Sequence, residues 1–446
     1  MNKQQAFEKL HLIGQDHLLQ HFDEWSEHQQ NTMLKQVERL QIPVFREQQQ
    51  LLTPSPHPPI RLLDPVSNSA FFGMDKRREK GKNAIKQGLV GALLIAGGQG
   101  SRLKFNGPKG CYPVSLIKKK SLFQLFAEKT LAAGIEAGRP LPLAVMTSPL
   151  NHEETVSFFE SYSFFGLEPS QVSFFSQELL PLLDEEGNLV LDPMGRIAEG
   201  PDGNGSCLRR FFDSGIWNNW YEAGIRLVNT VLVDNPLADP FDAELVGHHL
   251  DENADVAIKC TTRKDAEEKV GLIVKHNGHI EVVEYTEIPE DARNKRDQKG
   301  ELLYNLANLS LFSFSMDFIK LTAHKDLPLH RTRKEAPTIK DPSPEAPNLW
   351  KFETFIFDAL RYATTIKTLI YPRNLCFSPL KNGVGQNSLE TVQQALLKRD
   401  REVFEQVTGS PPPDKPFELS QQFYYPTDEF TAQWENKPFP DLSYIE

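Results

Sequence analysis

The sequence predicts an α/β fold built around a mostly parallel sheet. From residue 89 onward, short apolar runs alternate with segments of helical periodicity, and a glycine-rich stretch follows the first of these runs. The chain has 446 residues, enough for two or three domains at about 100 to 200 residues each. We therefore expect a sizeable core.

The first 88 residues are predicted to be an N-terminal helical segment that ends in a proline-rich linker. Between residues 5 and 40, apolar residues recur mostly at threes and fours, which is typical of two or three amphipathic helices. The stretch 52–59 is rich in proline and cannot continue a helix, because proline fixes φ and lacks the N–H donor. We place a domain boundary near residue 88.

Residues 89–385 are predicted to form the main α/β domain. Its strands are expected at 89–95, 143–147, 172–175, 230–233, 256–259, 271–275 and 309–314. Its helices are expected to include 121–133, 153–159, 205–214 and 349–362. Residues 386–446 are predicted as a short C-terminal helix and an extended tail, since the part after residue 409 holds three consecutive prolines and little periodicity.

Composition excludes several function classes. The formal net charge of −11 argues against a general nucleic-acid binder, which needs clustered Lys and Arg. The four cysteines lie far apart, so neither a zinc site nor a disulfide framework is indicated. Neither a secretory signal nor an apolar run near the length of about 18 residues that spans a bilayer is evident, so we expect a cytoplasmic protein without a membrane partner.

The glycine-rich stretch AGGQGSRL at 96–103 is the strongest candidate site. Because glycine has no Cβ, Gly97, Gly98 and Gly100 are expected to allow positive φ and to turn backbone N–H groups toward one anion. Arg102 and Lys109 add positive charge beside them. From these residues alone, a plain turn between a strand and a helix is an equal alternative.

The stretch does not match the two common nucleotide motifs. A dinucleotide fold would have a third glycine in the pattern GxGxxG, and a P-loop would have GxxxxGK[ST]. Here the residues after Gly100 are Ser, Arg and Leu, and Lys109 stands between Pro108 and Gly110. A loop with two nearby cations remains, which is suited to a triphosphate.

The stretch LIAGGQGSRL at 94–103, followed by GPKG at 107–110, resembles the signature of the UDP-sugar pyrophosphorylase family. The AGGQG form is similar to that of UDP-N-acetylglucosamine pyrophosphorylases. Further segments resemble the family in the same order: MTS at 146–148, FFGL at 164–167, FFSQ at 174–177, PDGNG at 201–205, VDN at 233–235, VVEY at 282–285, FIFD at 355–358 and FSPLKN at 377–382. The resemblance covers residues 89–385.

This resemblance implies a nucleotidyltransferase fold, GT-A-like and Rossmann-like, with a doubly wound mixed sheet. It also implies an enzyme that converts UTP and N-acetylglucosamine 1-phosphate to UDP-N-acetylglucosamine and pyrophosphate. Catalytic roles fall on Arg102, Lys109 and Lys381, which would hold the triphosphate and the sugar phosphate. The implied nucleotide-binding residues are Ala96, Gly97, Gly98, Gly100, Gln177, Gly203 and Asn204.

The metal and sugar residues complete the expected site. Asp234 directly follows the apolar run 230–233, at the carboxyl end of a predicted strand, and one carboxylate with phosphate oxygens is a usual arrangement for Mg²⁺. A turn-capping role before Pro236 is the alternative. By resemblance, the sugar is expected to contact Gly271, Glu284, Tyr285, Asn308, Phe355 and Phe357. Phe355 also fits an ordinary buried helix face with Phe352, Ile356, Ala359 and Leu360, whereas Phe357 falls off that face.

Three residues depart from the family pattern. Lys104, Ser206 and Ala307 stand where glycine is common in the family. These departures leave the expected reaction class intact, but because of them glucose 1-phosphate or another hexose 1-phosphate stays an alternative substrate. A catalytically silent UDP-sugar-binding protein that kept the fold is an alternative from a different class. The oligomeric state, monomer or homodimer, is left open.

Overall fold

The computed structural model describes residues 1–53, 63–288, 290–440 and 442–446. Most of the predicted proline-rich linker, at 54–59, lies outside these residues. The chain packs into two compact units. The first comprises Met1–Ile60, Gln177–Ser206 and Asp326–Phe355, and the second Arg61–Ser176, Cys207–Lys325 and Ile356–Glu446. The boundaries of these units differ from those of the predicted segments 1–88, 89–385 and 386–446. The division of the chain into those three domains stays a prediction.

The described residues form α-helices, β-strands and short 3-10 turns. The helices are α1 (Lys3–His11), α2 (Glu27–Arg39), α3 (Ile42–Leu52), α4 (Asp75–Lys86), α5 (Leu122–Ala137), α6 (His152–Ser161), α7 (Cys207–Asp213), α8 (Ile216–Glu222), α9 (Ala243–Glu252), α10 (Glu290–Arg293), α11 (Met316–Thr322), α12 (Arg373–Cys376), α13 (Leu389–Thr408) and α14 (Asp428–Trp434). The strands are β1 (Leu63–Pro65), β2 (Ala70–Phe71), β3 (Val90–Ile95), β4 (Leu143–Thr147), β5 (Val172–Ser176), β6 (Leu179–Pro181), β7 (Glu199–Pro201), β8 (Leu227–Leu232), β9 (Val256–Thr262), β10 (Leu272–His276), β11 (His279–Val283), β12 (Leu306–Ser315), β13 (His330–Lys334), β14 (Leu349–Glu353), β15 (Ile366–Ile370), β16 (Glu418–Leu419) and β17 (Tyr444–Ile445).

The second unit is organised around a mixed sheet in the order β2-β15-β9-β12-β8-β3-β4-β5. Strands β8, β3, β4 and β5 are parallel neighbours, whereas β12 runs antiparallel between β8 and β9. All six residues of β3 are buried, as expected of a strand covered on both faces. The predicted α/β class with a doubly wound mixed sheet is therefore confirmed.

All seven predicted strands of the main domain are present, with ends shifted by a few residues at most. The predicted helix at 349–362 is wrong. Residues Leu349–Glu353 form strand β14, which pairs with β13, and a 3-10 helix follows at Ile356–Tyr362. Phe352 is fully buried between two half-buried neighbours, so its burial comes from a strand face and not from a helical stripe.

The C-terminal region is more ordered than the predicted extended tail. After the 20-residue helix α13, the chain forms β16, a 3-10 turn, α14 and β17. Phe404, Phe417 and Phe423 are buried there, and Trp434 and Phe439 pack against them. These aromatic residues build a small core without helical or strand periodicity, which explains why the sequence pattern did not reveal it.

The first unit contains the predicted N-terminal helices and two hairpins, β6/β7 and β13/β14. Helices α1 and α2 each begin with a capping box, on Asn2 and Ser26, which satisfies N–H groups that the first helical turn leaves free. Their apolar faces pack with Phe45, Leu183 and Phe352 into one core. Among the helices of the described ranges, none is long and apolar enough to cross a membrane.

Candidate functional site

The glycine-rich stretch leaves the buried strand β3 and folds back on itself. The Gly100 N–H donates to the Gly107 carbonyl at 3.0 Å, and the Lys109 N–H donates to the Gly98 carbonyl at 3.1 Å. A Cβ on Gly98 would meet no atom within 4 Å, so the backbone there is open to an approaching ligand. Two short 3-10 turns, Ser101–Leu103 and Lys109–Cys111, carry Arg102 and Lys109.

Positive φ falls on other residues of the loop than expected. Gly100 has φ −81°, and glycine is needed there because a Cβ would lie 2.8 Å from the Phe105 ring. The prediction that Gly98 and Gly100 adopt positive φ is therefore wrong. Lys104 and Gly107 adopt it instead, with φ 55° and 138°. The left-handed backbone of Lys104 gives a physical reason why glycine suits this position.

A clamp that the sequence analysis did not identify holds the loop in place. The Asn151 side chain donates from Nδ2 to the Ala96 carbonyl at 3.2 Å and to the Gly98 carbonyl at 3.3 Å. Its Oδ1 accepts from the Ser148 N–H at 2.8 Å. Asn151 is buried and lies just before α6, so one amide connects β4 and α6 to the glycine loop. An asparagine soon after a predicted strand was the available signal.

Asp234 lies two residues beyond the end of β8, beside the segment that carries Lys381. The Leu380 N–H donates to the Asp234 carbonyl at 2.7 Å. Asn235 holds the same segment with both side-chain atoms: Nδ2 donates to the Cys376 carbonyl at 2.8 Å, and Oδ1 accepts from the Ser378 N–H at 3.0 Å. The chain thus fixes the segment before Lys381 against the carboxyl end of the parallel strands.

The three predicted cations share this neighbourhood. The Lys109 ammonium donates to the Leu380 carbonyl at 3.3 Å. Burial lowers the pKa of Lys109, the Asp234 carboxylate raises it in part, and the positive charges of Lys381 and Arg102 lower it further. Arg102, Lys381 and Asp234 are therefore close enough to act on the Lys109 ammonium. A cluster of like charges around a half-buried ammonium is suited to a polyanion.

The carboxylate of Asp234 is a good candidate for a metal ligand. Its Oδ1 atom is buried and has no hydrogen-bond partner among the residues that the structure describes. Among the described residues as a whole, no group of three or more His, Cys, Asp or Glu side chains is arranged to hold a metal ion. Mg²⁺ often binds one or two carboxylates and takes its other ligands from water and substrate phosphates, so the lone carboxylate fits that ion.

The structure brings together three of the residues predicted to contact the sugar. The Asn308 N–H donates to the Gly271 carbonyl at 2.8 Å, and a Cβ on Gly271 would lie 3.2 Å from Oε1 of Glu284. Asn308 sits at an irregularity of β12, where the register against β9 shifts between Asn308 and Leu311. The Ser310 N–H donates to Asn308 Oδ1 at 3.0 Å. Irregular strand positions of this kind often aim a side chain at a ligand.

Tyr285 and Phe357 occupy the same unit as these residues. Tyr285 lines a small cavity of about 160 Å³ together with Arg263 and Arg293. Phe357 is only 4% exposed, within the 3-10 helix Ile356–Tyr362, and is therefore mostly inside the core. Its predicted role in lining a ligand pocket stays a prediction.

The predicted base-binding residues belong to the first unit. Gly203 has φ 86°, and a Cβ there would lie 2.3 Å from the Thr354 carbonyl oxygen, so only glycine fits. The Gly205 N–H donates to the same carbonyl at 2.9 Å, and the Asp202 N–H donates to the Glu178 carbonyl at 3.1 Å. These hydrogen bonds fix the PDGNG segment, which contains Asn204, beside Glu178 and Thr354. Glu178 follows Gln177 in the chain, and Thr354 precedes Phe355.

Comparison with known proteins places this arrangement in a family. The profile of the family described as UTP--glucose-1-phosphate uridylyltransferase matches residues 59–438. The chain is 33% identical to UDP-N-acetylglucosamine diphosphorylase 2 of Arabidopsis thaliana, over 88% of this chain and 82% of that protein. It is also 33% identical to UDP-N-acetylglucosamine pyrophosphorylase of Saccharomyces cerevisiae, over 75% of each chain.

A solved structure agrees with this placement. The crystal structure of the uridine diphosphate N-acetylglucosamine pyrophosphorylase from Trypanosoma brucei, in complex with an inhibitor, is similar with a TM-score of 0.82 and 25% identity, and the match covers 100% of this chain and 98% of that one. The family profile and the relatives extend over most of the sequence. The chain therefore belongs to the UDP-sugar pyrophosphorylase family of UTP--glucose-1-phosphate uridylyltransferases.

Proposed function

We propose that the protein transfers the uridylyl group of UTP to N-acetylglucosamine 1-phosphate, giving UDP-N-acetylglucosamine and pyrophosphate. The observation that carries the proposal is the group of Arg102, Lys381 and Asp234 around the Lys109 ammonium, at the carboxyl end of β8. Among the residues that the structure describes, Oδ1 of Asp234 has no hydrogen-bond partner. Relatives at 33% identity that are named for UDP-N-acetylglucosamine support the choice of sugar.

In this reaction, an oxygen of the sugar phosphate attacks the α-phosphorus of UTP. A new P–O bond forms between the sugar phosphate and the α-phosphorus. The bond between the α-phosphorus and the oxygen that bridges it to the β-phosphorus breaks, and pyrophosphate leaves with that electron pair. The attacking oxygen is already anionic near neutral pH, so the chain needs no base or nucleophile of its own. It must align the two anions and stabilise the charge of the transition state.

The residues of the second unit suit these tasks. Arg102 and Lys109 would hold the triphosphate, with the open backbone at Gly98 close to its oxygens. Lys381 would bind the sugar phosphate, and the segment that carries it is fixed by Asn235. We further propose that Asp234 holds Mg²⁺, which when bound would neutralise charge on phosphate oxygens.

We assign the uridine part of UTP and the sugar ring of the second substrate to further residues. Gln177 and Asn204 offer amide donors and acceptors for the uracil and ribose edges, with Gly203 allowing close approach. Glu284 and Asn308 would bind sugar hydroxyl and acetamido groups, supported by their closeness around Gly271. Further substrate contacts are proposed for Ala96, Gly97, Tyr285 and Phe357 of the second unit and for Phe355 of the first unit.

Glucose 1-phosphate is the second candidate substrate, because the family profile is described by that sugar. The two are separated by measuring pyrophosphate release from UTP and Mg²⁺ with a panel of sugar 1-phosphates. We expect the highest kcat/KM with N-acetylglucosamine 1-phosphate. A higher value with glucose 1-phosphate would reassign the sugar, and no turnover with any member of the panel would favour a silent UDP-sugar-binding protein.

A further inference from the structure

A buried lysine of helix α5 contacts the turn that follows the proposed metal ligand. We refer to residues 235–241, between β8 and α9, as the β8–α9 turn. The Lys129 ammonium donates to the Pro236 carbonyl at 2.6 Å and to the Ala238 carbonyl at 2.7 Å. Lys129 is only 6% exposed, and Pro236 and Ala238 are buried. The ammonium therefore holds the chain two and four residues beyond Asp234.

The β8–α9 turn has few backbone donors of its own. Pro236 and Pro240 both lie in it, and proline has no N–H group. Within the turn, the Ala238 N–H donates to the Asn235 carbonyl at 2.9 Å. A buried carbonyl without a donor costs free energy, so the conformation of this turn depends on donors from outside it. Lys129 supplies two of them.

Stability alone does not account for an ammonium at this position. Burial lowers the pKa of Lys129 to about 8, and the Asp239 carboxylate raises it only in part, so the fold holds the charged form at a cost in free energy. The nearby buried positions of α5 include Leu125, Ala132 and Ala133, which are apolar. Replacement of a buried charge by an apolar side chain of similar volume is often neutral or stabilising.

The start of the same turn is bound to the proposed active site. Asn235 holds the segment 376–381 through both of its side-chain atoms, and the Asp234 carbonyl accepts from the Leu380 N–H at 2.7 Å. Lys129 thus fixes the middle of a turn whose first residues adjoin the proposed metal and phosphate ligands. A binding side chain works only when it is held within about 0.5 Å of its productive position, and this depends on the residues that support it.

We propose that Lys129 is a positioning residue for the metal site: through the Pro236 and Ala238 carbonyls, it holds the β8–α9 turn so that the Asp234 carboxylate can bind Mg²⁺ together with UTP. This inference rests on the proposed role of Asp234 as the Mg²⁺ ligand. It does not depend on the identity of the sugar. Binding and turnover are therefore measured separately.

Binding is measured by calorimetry of the full chain with UTP, with and without Mg²⁺, in the absence of a sugar phosphate so that no transfer occurs. The factor by which Mg²⁺ tightens UTP binding is called the Mg²⁺ factor. We expect a Mg²⁺ factor of about ten or more for the parent, since the two ligands would share one site. Lys129→Met removes both hydrogen bonds to the turn, and its Mg²⁺ factor should fall to about three or less. The Mg²⁺ concentration for half-maximal turnover should rise about tenfold.

Lys129→Met is expected to fold. The Asp239 carboxylate keeps the Phe241 N–H and the Tyr425 hydroxyl as donors, and the buried ammonium is gone, so the midpoint of thermal unfolding should stay within about 3 °C of the parent value. Lys129→Gln gives the answer if Lys129→Met does not fold. It keeps an amide donor on a shorter side chain, so its Mg²⁺ factor should lie between those of the parent and Lys129→Met.

Lys120→Met is the matched control. Lys120 is also buried, but its ammonium donates to Oε2 of Glu128 at 2.7 Å and to the Tyr444 hydroxyl at 2.9 Å, outside the β8–α9 turn. Its loss leaves the Glu128 carboxylate without this ion pair, so the midpoint of thermal unfolding should fall. The Mg²⁺ factor should equal that of the parent. A purely structural lysine thus lowers stability and spares Mg²⁺ binding, whereas Lys129 should do the reverse.

Several results would overturn the positioning role. A parent-like Mg²⁺ factor in a folded Lys129→Met or Lys129→Gln refutes it, and so does an equal loss of the factor in Lys120→Met. Failure of both Lys129 variants to fold refutes it too, because the fold itself would then require the ammonium. If UTP binding to the parent does not respond to Mg²⁺, the role of Asp234 fails, and that of Lys129 fails with it. A parent that shows the Mg²⁺ factor but transfers no uridylyl group refutes the proposed function alone.

Discussion

Replacing Lys109 by methionine removes an ammonium from the centre of the proposed phosphate site while nearly keeping its volume. We expect kcat to fall by about 10²- to 10³-fold, or about 2.7 to 4 kcal/mol of transition-state stabilisation, as when one preorganised donor is lost. Stability should respond differently. The variant loses the hydrogen bond to the Leu380 carbonyl, a contribution of about 1 kcal/mol. It also removes the desolvation of the ammonium, the main cause of the lowered pKa of Lys109, so the two changes offset.

The assay is continuous measurement of pyrophosphate release, with kcat and KM obtained separately, together with thermal unfolding. The free energy of unfolding should stay within about 1 kcal/mol of the parent value. Lys76→Met, the same substitution at an exposed position on α4, is the control and should leave kcat within about threefold of the parent. If Lys109→Met keeps kcat within that same range, the catalytic role of this ammonium is refuted.

Four further outcomes are expected. Asp234→Asn should remove most of the stimulation of turnover by Mg²⁺, and an unchanged Mg²⁺ titration would contradict its role as a ligand. Asn151→Asp cannot donate to the Ala96 and Gly98 carbonyls, so denaturant unfolding should show a loss of about 1 to 3 kcal/mol and turnover should drop; parent-like values for both would refute the clamp. Lys104 has left-handed backbone with φ 55°, so Lys104→Gly removes the Cβ that is strained there and should raise the free energy of unfolding by up to about 1 kcal/mol. Lys104→Ala keeps a Cβ at this φ and should give no such gain in thermal unfolding. Burial raises the pKa of Asp400 to about 8, so the folded state holds this proton longer than the unfolded chain, and stability should fall as pH rises from about 4 to 8; Asp400→Asn should flatten this decline, and an equal slope in both proteins would contradict the assignment.

The strands of the main sheet were predictable because their apolar runs are buried. Every residue of β3 and β4 is buried, so a short apolar run gave the position of each strand directly. The residues of the proposed phosphate site were indicated by the glycine loop and by the position of Asp234 after β8. The glycine loop follows β3 and Asp234 follows β8, and these strands are parallel neighbours. Their carboxyl ends therefore lie at the same edge of the sheet, which is a property of the parallel topology and not of any single residue.

Other features depend on contacts that periodicity does not carry. Asn151 and Asn235 act through paired hydrogen bonds to backbone atoms. Each follows a predicted strand, but helical or strand periodicity does not show which backbone atoms the side chain will bind. The first unit joins three separate stretches of the chain, and β14 pairs with β13 where helical spacing suggested a helix. Aromatic packing around Phe404 likewise orders the C-terminal region without a periodic signal.

The transfer of the α-phosphorus tests the central claim most directly. The full-length protein is incubated with Mg²⁺, N-acetylglucosamine 1-phosphate and UTP labelled at the α-phosphorus, and the products are separated and quantified. We predict that the label appears in UDP-N-acetylglucosamine, with one unlabelled pyrophosphate released for each label transferred. Label that stays in UTP, or that appears in UMP without a sugar nucleotide, would contradict the proposed uridylyl transfer.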